Sequence, residues 1–184
     1  MNKNLFNWFF AIVAGVFFPA ILFAQPANKY VGVDKCKLCH KSESKGNQYG
    51  AWQKSLHSKA YETLGNSKAK GLAEAAGITD DPQKSDKCLK CHATAFGVAP
   101  EMIAEDCSLR IEDGIQCETC HGPGEKYWSI DAMKDKAKAI ANGLKVGIKE
   151  DTCVKCHNSE SPTWSGQFDF VKMREKILHS RPKK

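Results

Sequence analysis

Eight of the nine Cys residues stand in four pairs spaced Cys-x-x-Cys, and each pair is followed at once by His. Two Cys three positions apart lie on one side of a helical turn, and the next side chain reaches the space beside them. This is the attachment pattern of c-type haem, in which both thiols form thioethers with vinyl groups and the imidazole binds the iron. Covalent attachment is therefore predicted at Cys36, Cys39, Cys88, Cys91, Cys117, Cys120, Cys153 and Cys156, with proximal ligation by His40, His92, His121 and His157.

Zinc ribbons and disulfides also use paired Cys, but neither explains the His after each pair. His makes up 6 of 184 residues, so four chance placements at these positions have a probability of about one in a million. The sequence therefore predicts four covalently attached haem c groups. Cys107 stands outside the motifs, and we interpret it as a small buried packing residue, with an intermolecular disulfide as the alternative.

Only two further His remain, so at most two haems can receive a second His from this chain. The first, His57, adjoins an apolar stripe that predicts an amphipathic helix ending near Gly65. We expect His57 to be a distal haem ligand, the alternative being a partly buried surface His. The stripe consists of Trp52, Leu56, Ala60 and Leu64.

The second spare imidazole, His179, is expected to close a helix that Asp169 caps and Pro182 ends. We predict a distal ligand here too, although a His at a helix C-terminus is also favoured by the helix dipole. Met133 is a third distal candidate, with simple packing as its alternative. It lies in a Lys-rich stretch that predicts one helix, capped by Ser129 or Asp131 and ended by Gly143.

These ligands require short helical turns at the motifs and longer helices for the distal residues. A further helix is expected from Ser67 to Ala76, ended by Gly77, and no β-run is longer than a few residues. The predicted fold is mainly α: one multihaem domain packed around four haems, whose apolar faces supply much of the core.

The N-terminal segment 1–24 has one charge, Lys3, and then an apolar run to Ala24. This pattern predicts a secretory signal peptide, so residues 25–184 form the exported, periplasmic domain. The alternative is an uncleaved membrane anchor, which would be the only contact with a membrane. Pro19 near the end of the run favours cleavage.

The charge pattern excludes a dedicated nucleic-acid protein, because Lys residues are scattered among acids and form no dense block. Without the segment 1–24 the formal charge is 26 minus 21, or +5. Eight haem propionates would bring it to about −3, so a basic patch is local. Such a patch suits docking to acidic redox partner proteins in the periplasm.

The order of the motifs resembles that of the tetrahaem cytochrome c-554 family, known from ammonia oxidation, where it takes electrons from hydroxylamine oxidoreductase. The second motif reads Cys88-Leu-Lys-Cys-His-Ala-Thr-Ala-Phe-Gly97. The third, in Gly114-Ile-Gln-Cys-Glu-Thr-Cys-His-Gly-Pro-Gly124, is the most specific piece, and a wider superfamily of nitrogen-cycle multihaem enzymes shares it in part.

The resemblance implies a ligand for each haem. His57 would lie opposite His121 on the third haem, and His179 opposite His157 on the fourth. The second haem, on His92, would be five-coordinate, the alternative being that Met102, ten residues further along, closes the site. The family's first haem takes a distal His from the segment after Gly-Pro-Gly. This chain has no His there and offers Met133, which gives a His40–Met133 pair.

The function expected from these features is electron transfer between redox partners. All four motifs end in His, so the chain has no Cys-x-x-Cys-Lys site of the nitrite reductase type, and four motifs are too few for hydroxylamine oxidoreductase. One alternative is reduction of nitric oxide or a related nitrogen oxide at an open haem, as a weak enzyme activity. The other is a subunit of a larger cytochrome complex or filament, against a monomeric carrier.

Overall fold

Short helices joined by turns make up the part of the chain that the computed structural model describes, residues 27–180. The predicted signal peptide and Pro182 lie outside these residues. Within them, extended pairing is limited to one parallel bridge between Tyr30 and Ile103, which confirms the mainly α prediction. None of the described helices is long and apolar enough to span a bilayer. The α-helices are α1 (Val33–His40), α2 (Gln48–Lys54), α3 (Ala60–Thr63), α4 (Ser67–Ala75), α5 (Asp86–His92), α6 (Cys117–His121), α7 (Ile130–Lys134), α8 (Lys136–Ala141), α9 (Glu150–Cys153) and α10 (Phe170–Glu175).

Helical turns carry all four motifs. The helices α1, α5 and α6 each end on the His of their motif. The fourth motif begins at the end of α9 and continues through turns, where the N–H of His157 donates to the carbonyl of Cys153 at 3.0 Å. Each pair of thiols and its imidazole are therefore close in space, as attachment of one haem requires.

The stretch around His57 is not the continuous helix that its apolar spacing predicts. The helix α2 ends before Ser55, which has extended backbone angles, and α3 begins only at Ala60. Ser58 Oγ donates to the carbonyls of Gln53 and Ser55, at 3.1 and 3.0 Å. Because a side-chain hydroxyl occupies carbonyls that a continuing helix would use, the helix stops and His57 lies in the link.

A second helix is also divided. The Lys-rich stretch forms α7 and α8, separated at Asp135, whose carboxylate accepts from the N–H groups of Ala137 and Lys138 and caps α8. The expected cap at Ser129 is confirmed, since its side chain accepts from the N–H of Ala132. Met133 therefore lies on a helix of five residues.

Two other helices follow the sequence more closely. The helix α4 has the predicted extent to within one residue, with Asn66 as its cap and Gly77 beyond its end. Asp169 caps α10 through the N–H of Lys172, at 3.0 Å, which confirms that prediction. However, α10 ends at Glu175, so His179 lies beyond the helix and does not close it.

The apolar core that the described polypeptide forms by itself is thin. Eleven apolar residues are buried, and five of these are Ala: Val31, Val33, Ala60, Leu64, Ala73, Leu89, Ala93, Ile115, Tyr127, Ala132 and Ala139. An equal number of large apolar residues are exposed: Leu38, Leu56, Trp128, Ile130, Met133, Ile140, Val146, Val154, Val171, Met173 and Leu178. A chain with this balance is suited to packing against large apolar cofactors.

Candidate haem sites

Two pairs of imidazoles face each other at close range. The ring centroids of His57 and His157 are 6.2 Å apart, and those of His121 and His179 are 5.8 Å apart. A metal–imidazole bond is about 2.0–2.1 Å long, so two rings on opposite sides of one metal have centroids roughly 6 Å apart. Each pair thus has the spacing needed for one iron, and the donor set fits a haem with two His ligands.

These pairs exchange the partners that the family resemblance implied. His57 faces His157 instead of His121, and His179 faces His121 instead of His157. His57 faces His157 because of a contact three residues further along the chain. There the carbonyl of Ala60 accepts a hydrogen bond from the His92 ring at 2.7 Å. This contact docks α3 on the second motif, and His92 in turn lies close to His157.

The proximal imidazoles are oriented through their Nδ1 atoms. His92 Nδ1 bonds the carbonyl of Ala60, at 2.7 Å, and His121 Nδ1 bonds the carbonyl of Lys145, at 2.8 Å. A carbonyl can only accept, so Nδ1 carries the proton in both rings, and Nε2 keeps its lone pair for a metal. His40 Nδ1 bonds the side chain of Gln48.

The fourth proximal residue, His157, is positioned differently. Its ring stacks on Phe168 with centroids 5.2 Å apart and an interplanar angle of 23°. Stacking fixes the plane of the ring through packing, without specifying which nitrogen carries the proton.

Electrostatics favour the neutral imidazole at His57 and at His121. Burial lowers the pKa of His57, and the neighbouring His157 lowers it further. Burial also lowers the pKa of His121, with His179 and His40 adding to the effect, against the hydrogen bond to the Lys145 carbonyl. Neutral imidazole is the form that binds a metal, so these shifts favour ligation.

Thiols of neighbouring motifs interact electrostatically: a side-chain hydrogen bond to Cys117 and burial raise the pKa of Cys36, and burial and thiols of other motifs raise the pKa of Cys120 and of Cys156. These interactions link the first motif to the third, the third to the fourth, and the fourth to the second. The Cys pairs involved are Cys36 with Cys117, Cys120 with Cys153, and Cys156 with Cys91. The four candidate haem sites therefore form a continuous series.

Glu118, inside the third motif, is a structural residue that the sequence analysis missed. Its side chain is only 2% exposed. The carboxylate accepts from the backbone N–H groups of Val31, Gly32 and Gly124, at 2.9, 2.8 and 2.7 Å. Burial raises the pKa of Glu118, and these three N–H groups oppose that rise. Glu118 thus ties the chain entering α1 to the loop after the third motif.

The residues just before Cys117 extend this connection. Gln116 Oε1 accepts from the N–H of Val33, at 2.8 Å. The N–H of Ile115 donates to the His57 carbonyl, at 2.9 Å. Gly114 has φ 64°, and a Cβ there would lie 2.6 Å from that same carbonyl, so only Gly permits the approach. The sequence signal that could have revealed this connection is a polar residue on each side of Cys117, namely Gln116 and Glu118.

Met133 is the remaining candidate for a distal ligand. It lies on α7 with 36% of its surface exposed, and its role opposite His40 stays a prediction.

Cys107, the one Cys outside the motifs, is partly exposed. It is therefore not the buried packing residue that we expected.

Comparisons with known proteins agree with the assignment of the Cys-x-x-Cys-His motifs to c-type haem. The model of the family described as cytochrome c554 and c-prime matches residues 35–122, which include the first three motifs. Cytochrome c-554 of Nitrosomonas europaea is 30% identical over 153 residues, covering 74% of this chain. The chain spans 61% of the length of that relative.

A solved structure also matches. The reduced state of cytochrome c554 from Nitrosomonas europaea superimposes with a TM-score of 0.58 at 25% identity, covering 83% of this chain and 86% of that one. The family match, the relative and the shared fold lead to one conclusion. The chain belongs to the cytochrome c-554 family, whose members bind haem c covalently.

Proposed function

We propose that this chain is an exported electron carrier with four covalently attached haems, which passes electrons between redox partner proteins in the periplasm. The observation that carries the proposal is the pair of imidazole contacts, His57–His157 and His121–His179, each with the spacing for one iron. Two strong His ligands keep an iron six-coordinate in both oxidation states, which suits electron transfer and not substrate binding. Residues 25–184 would be the exported domain.

The chain's own groups would do the following work. The four Cys pairs hold the haems, and the proximal His residues bind iron through Nε2, with Nδ1 hydrogen bonds orienting three of the four rings. Bound haem supplies an iron that changes reversibly between the ferric and ferrous states. The electrostatic interactions between thiols of successive motifs support a relay in the order first, third, fourth, second.

The proposal is tested by counting haems and their electrons. The chain is expressed in a host that matures c-type cytochromes, and the periplasmic fraction is examined by pyridine haemochrome assay and intact mass. We expect four haems on a chain that begins near Gln25, and four one-electron transitions in a redox titration. Fewer than four haems, or irons that do not cycle reversibly, would contradict the proposal.

A second function is supported by the position of His92. Both spare imidazoles face other proximal residues, and the His92 ring is held from its Nδ1 side by the Ala60 carbonyl. We infer that the second haem is open on its distal side and binds a small ligand such as nitric oxide. Weak reduction of that ligand is the corresponding activity. In a larger cytochrome complex or filament, a neighbouring chain would supply the ligand that this chain lacks.

A further inference from the structure

Gln48, the first residue of α2, contacts groups belonging to two different candidate haem sites. Its Oε1 lies 2.9 Å from His40 Nδ1, at the first motif. Its Nε2 donates to the carbonyl of Ser180 at 2.9 Å, and Ser180 directly follows His179. A second bond from Nε2 reaches the carbonyl of Lys45 at 2.6 Å. One amide therefore connects the proximal residue of the first site with the backbone beside the distal residue of the third.

The hydrogen bonds define the orientation of this amide. Its Nε2 faces two backbone carbonyls, which can only accept, so the NH2 group must lie on that side. The oxygen is then the atom that faces His40, and an amide oxygen also only accepts. His40 must donate from Nδ1, and in the neutral imidazole Nε2 is then the nitrogen available to a metal.

We propose that Gln48 is a positioning residue for two haems at once. Its oxygen holds the His40 ring and sets the basicity of that ligand, and its NH2 group holds the segment that presents His179 to the iron on His121. The inference rests on the proposed four-haem function. It also explains why His179, which lies beyond the end of α10 and is exposed, still meets the His121 ring.

Two substitutions separate these roles. Gln48→Leu keeps the size of the side chain and removes every hydrogen bond. Gln48→Glu keeps an acceptor for His40, now charged, and loses both donors to the carbonyls. A charged acceptor makes a ligating imidazole more basic and stabilises ferric iron, whereas loss of the acceptor has the opposite effect.

The two variants should shift the potential of one haem in opposite directions and change the spin state of another haem in the same way. One haem potential should rise in Gln48→Leu and fall in Gln48→Glu, by about a tenfold change in the ratio of oxidised to reduced haem, or about 59 mV. A different haem should gain high-spin signal in both variants, because both release the Ser180 carbonyl. That signal should match the one that His179→Ala produces.

Gln53 provides the matched control, since it lies exposed on the same helix. Gln53→Leu and Gln53→Glu should leave all potentials and spin states unchanged. Electron paramagnetic resonance during a redox titration measures both quantities, and the pyridine haemochrome assay checks that each variant carries its haems. Potentials that move in the same direction in both Gln48 variants, or unchanged spin states, would overturn the inference. A wild-type chain with fewer than four haems would instead contradict the proposed function.

Discussion

Single ring nitrogens decide how each candidate site can bind a metal. The acceptors at Nδ1 of His40, His92 and His121 are two backbone carbonyls and one oriented amide. None of these acceptors can donate, so each ring donates from Nδ1, and in the neutral imidazole Nε2 is the unprotonated nitrogen on the other side. The rings of His57 and His179 face two of the proximal residues, His157 and His121, at the spacing that one iron requires.

The first prediction concerns these two distal rings. His57→Ala and His179→Ala should each convert one low-spin haem to high-spin while four haems stay attached, because covalent attachment depends only on the Cys residues. Electron paramagnetic resonance of the oxidised proteins measures the change, and the double variant should show both conversions. An unchanged spectrum would make the substituted His a bystander. A crystal structure of the haem-bound protein with His57 on the iron of His121 would contradict the pairing.

At the level of elements, the run from Gly114 to Glu118 organises the molecule. It contacts the backbone of His57, the chain entering α1 and the loop at Gly124. In addition, the indole N–H of Trp52 donates to the Ile115 carbonyl, at 2.7 Å. The position of the His57 backbone therefore depends on Ile115, which is neither a Cys nor a His of any motif.

Gly114→Ala tests this dependence. The new Cβ would meet the His57 carbonyl at 2.6 Å, in a backbone conformation that favours Gly, so His57 should be displaced. We expect loss of stability and a partial high-spin signal from the same haem that His57→Ala affects. Gly71→Ala is the control, because nothing lies within 4 Å of its Cβ in α4. That change should stabilise the helix by about 0.5–1 kcal/mol. Equal effects at the two positions would refute the special role of Gly114.

Glu118→Gln tests the buried carboxylate. An amide of the same size must turn its NH2 group toward one of the backbone donors at Val31, Gly32 or Gly124. The free energy of unfolding should fall by about 1.5–3 kcal/mol, the magnitude of a hydrogen bond to a charged group. Guanidinium unfolding of the haem-bound protein measures it. Glu160→Gln is the control: it removes an exposed carboxylate paired with Lys90, which solvent screens. A loss at Glu118 no larger than at Glu160 would disprove the anchoring role.

At the scale of the whole molecule, the supply of ligands limits what the protein can do. The chain has six His for four predicted sites, and the two spare rings face His157 and His121. Four six-coordinate irons would then require additional donors, of which Met133 is the candidate for the first site. For the second site, no ring contact between described residues brings another imidazole to His92, and the sequence offers Met102 as the rival donor.

Binding of nitric oxide tests whether the chain lacks a protein ligand for the second haem. The oxidised wild-type protein should show one high-spin haem per chain, and about one nitric oxide should bind at that haem, because the other irons have strong protein ligands. Electron paramagnetic resonance before and after addition of the gas gives both numbers. Met133→Leu is informative here, since it should create a second high-spin haem if Met133 binds the first iron. Four low-spin haems that do not respond to nitric oxide would rule out the open site.

Local sequence determined a large part of this protein. The four attachment motifs, the shortage of His and the caps at Ser129 and Asp169 depend on residues within a few positions of one another, so spacing alone revealed them. The mainly α class followed from the same short-range patterns, and the motif order was sufficient to suggest the family.

Only the tertiary structure decided which ring faces which. The partner of His57 follows from the Ala60 carbonyl bonding His92, and the place of His179 from Gln48 reaching Ser180. These contacts join residues 32 and 132 positions apart. The prediction of a continuous helix through His57 was wrong because the Ser58 hydroxyl and the Ile115 N–H bind carbonyls that a continuous helix would use. Long-range hydrogen bonds have no signature in local spacing, and they determine where the two distal ligands lie.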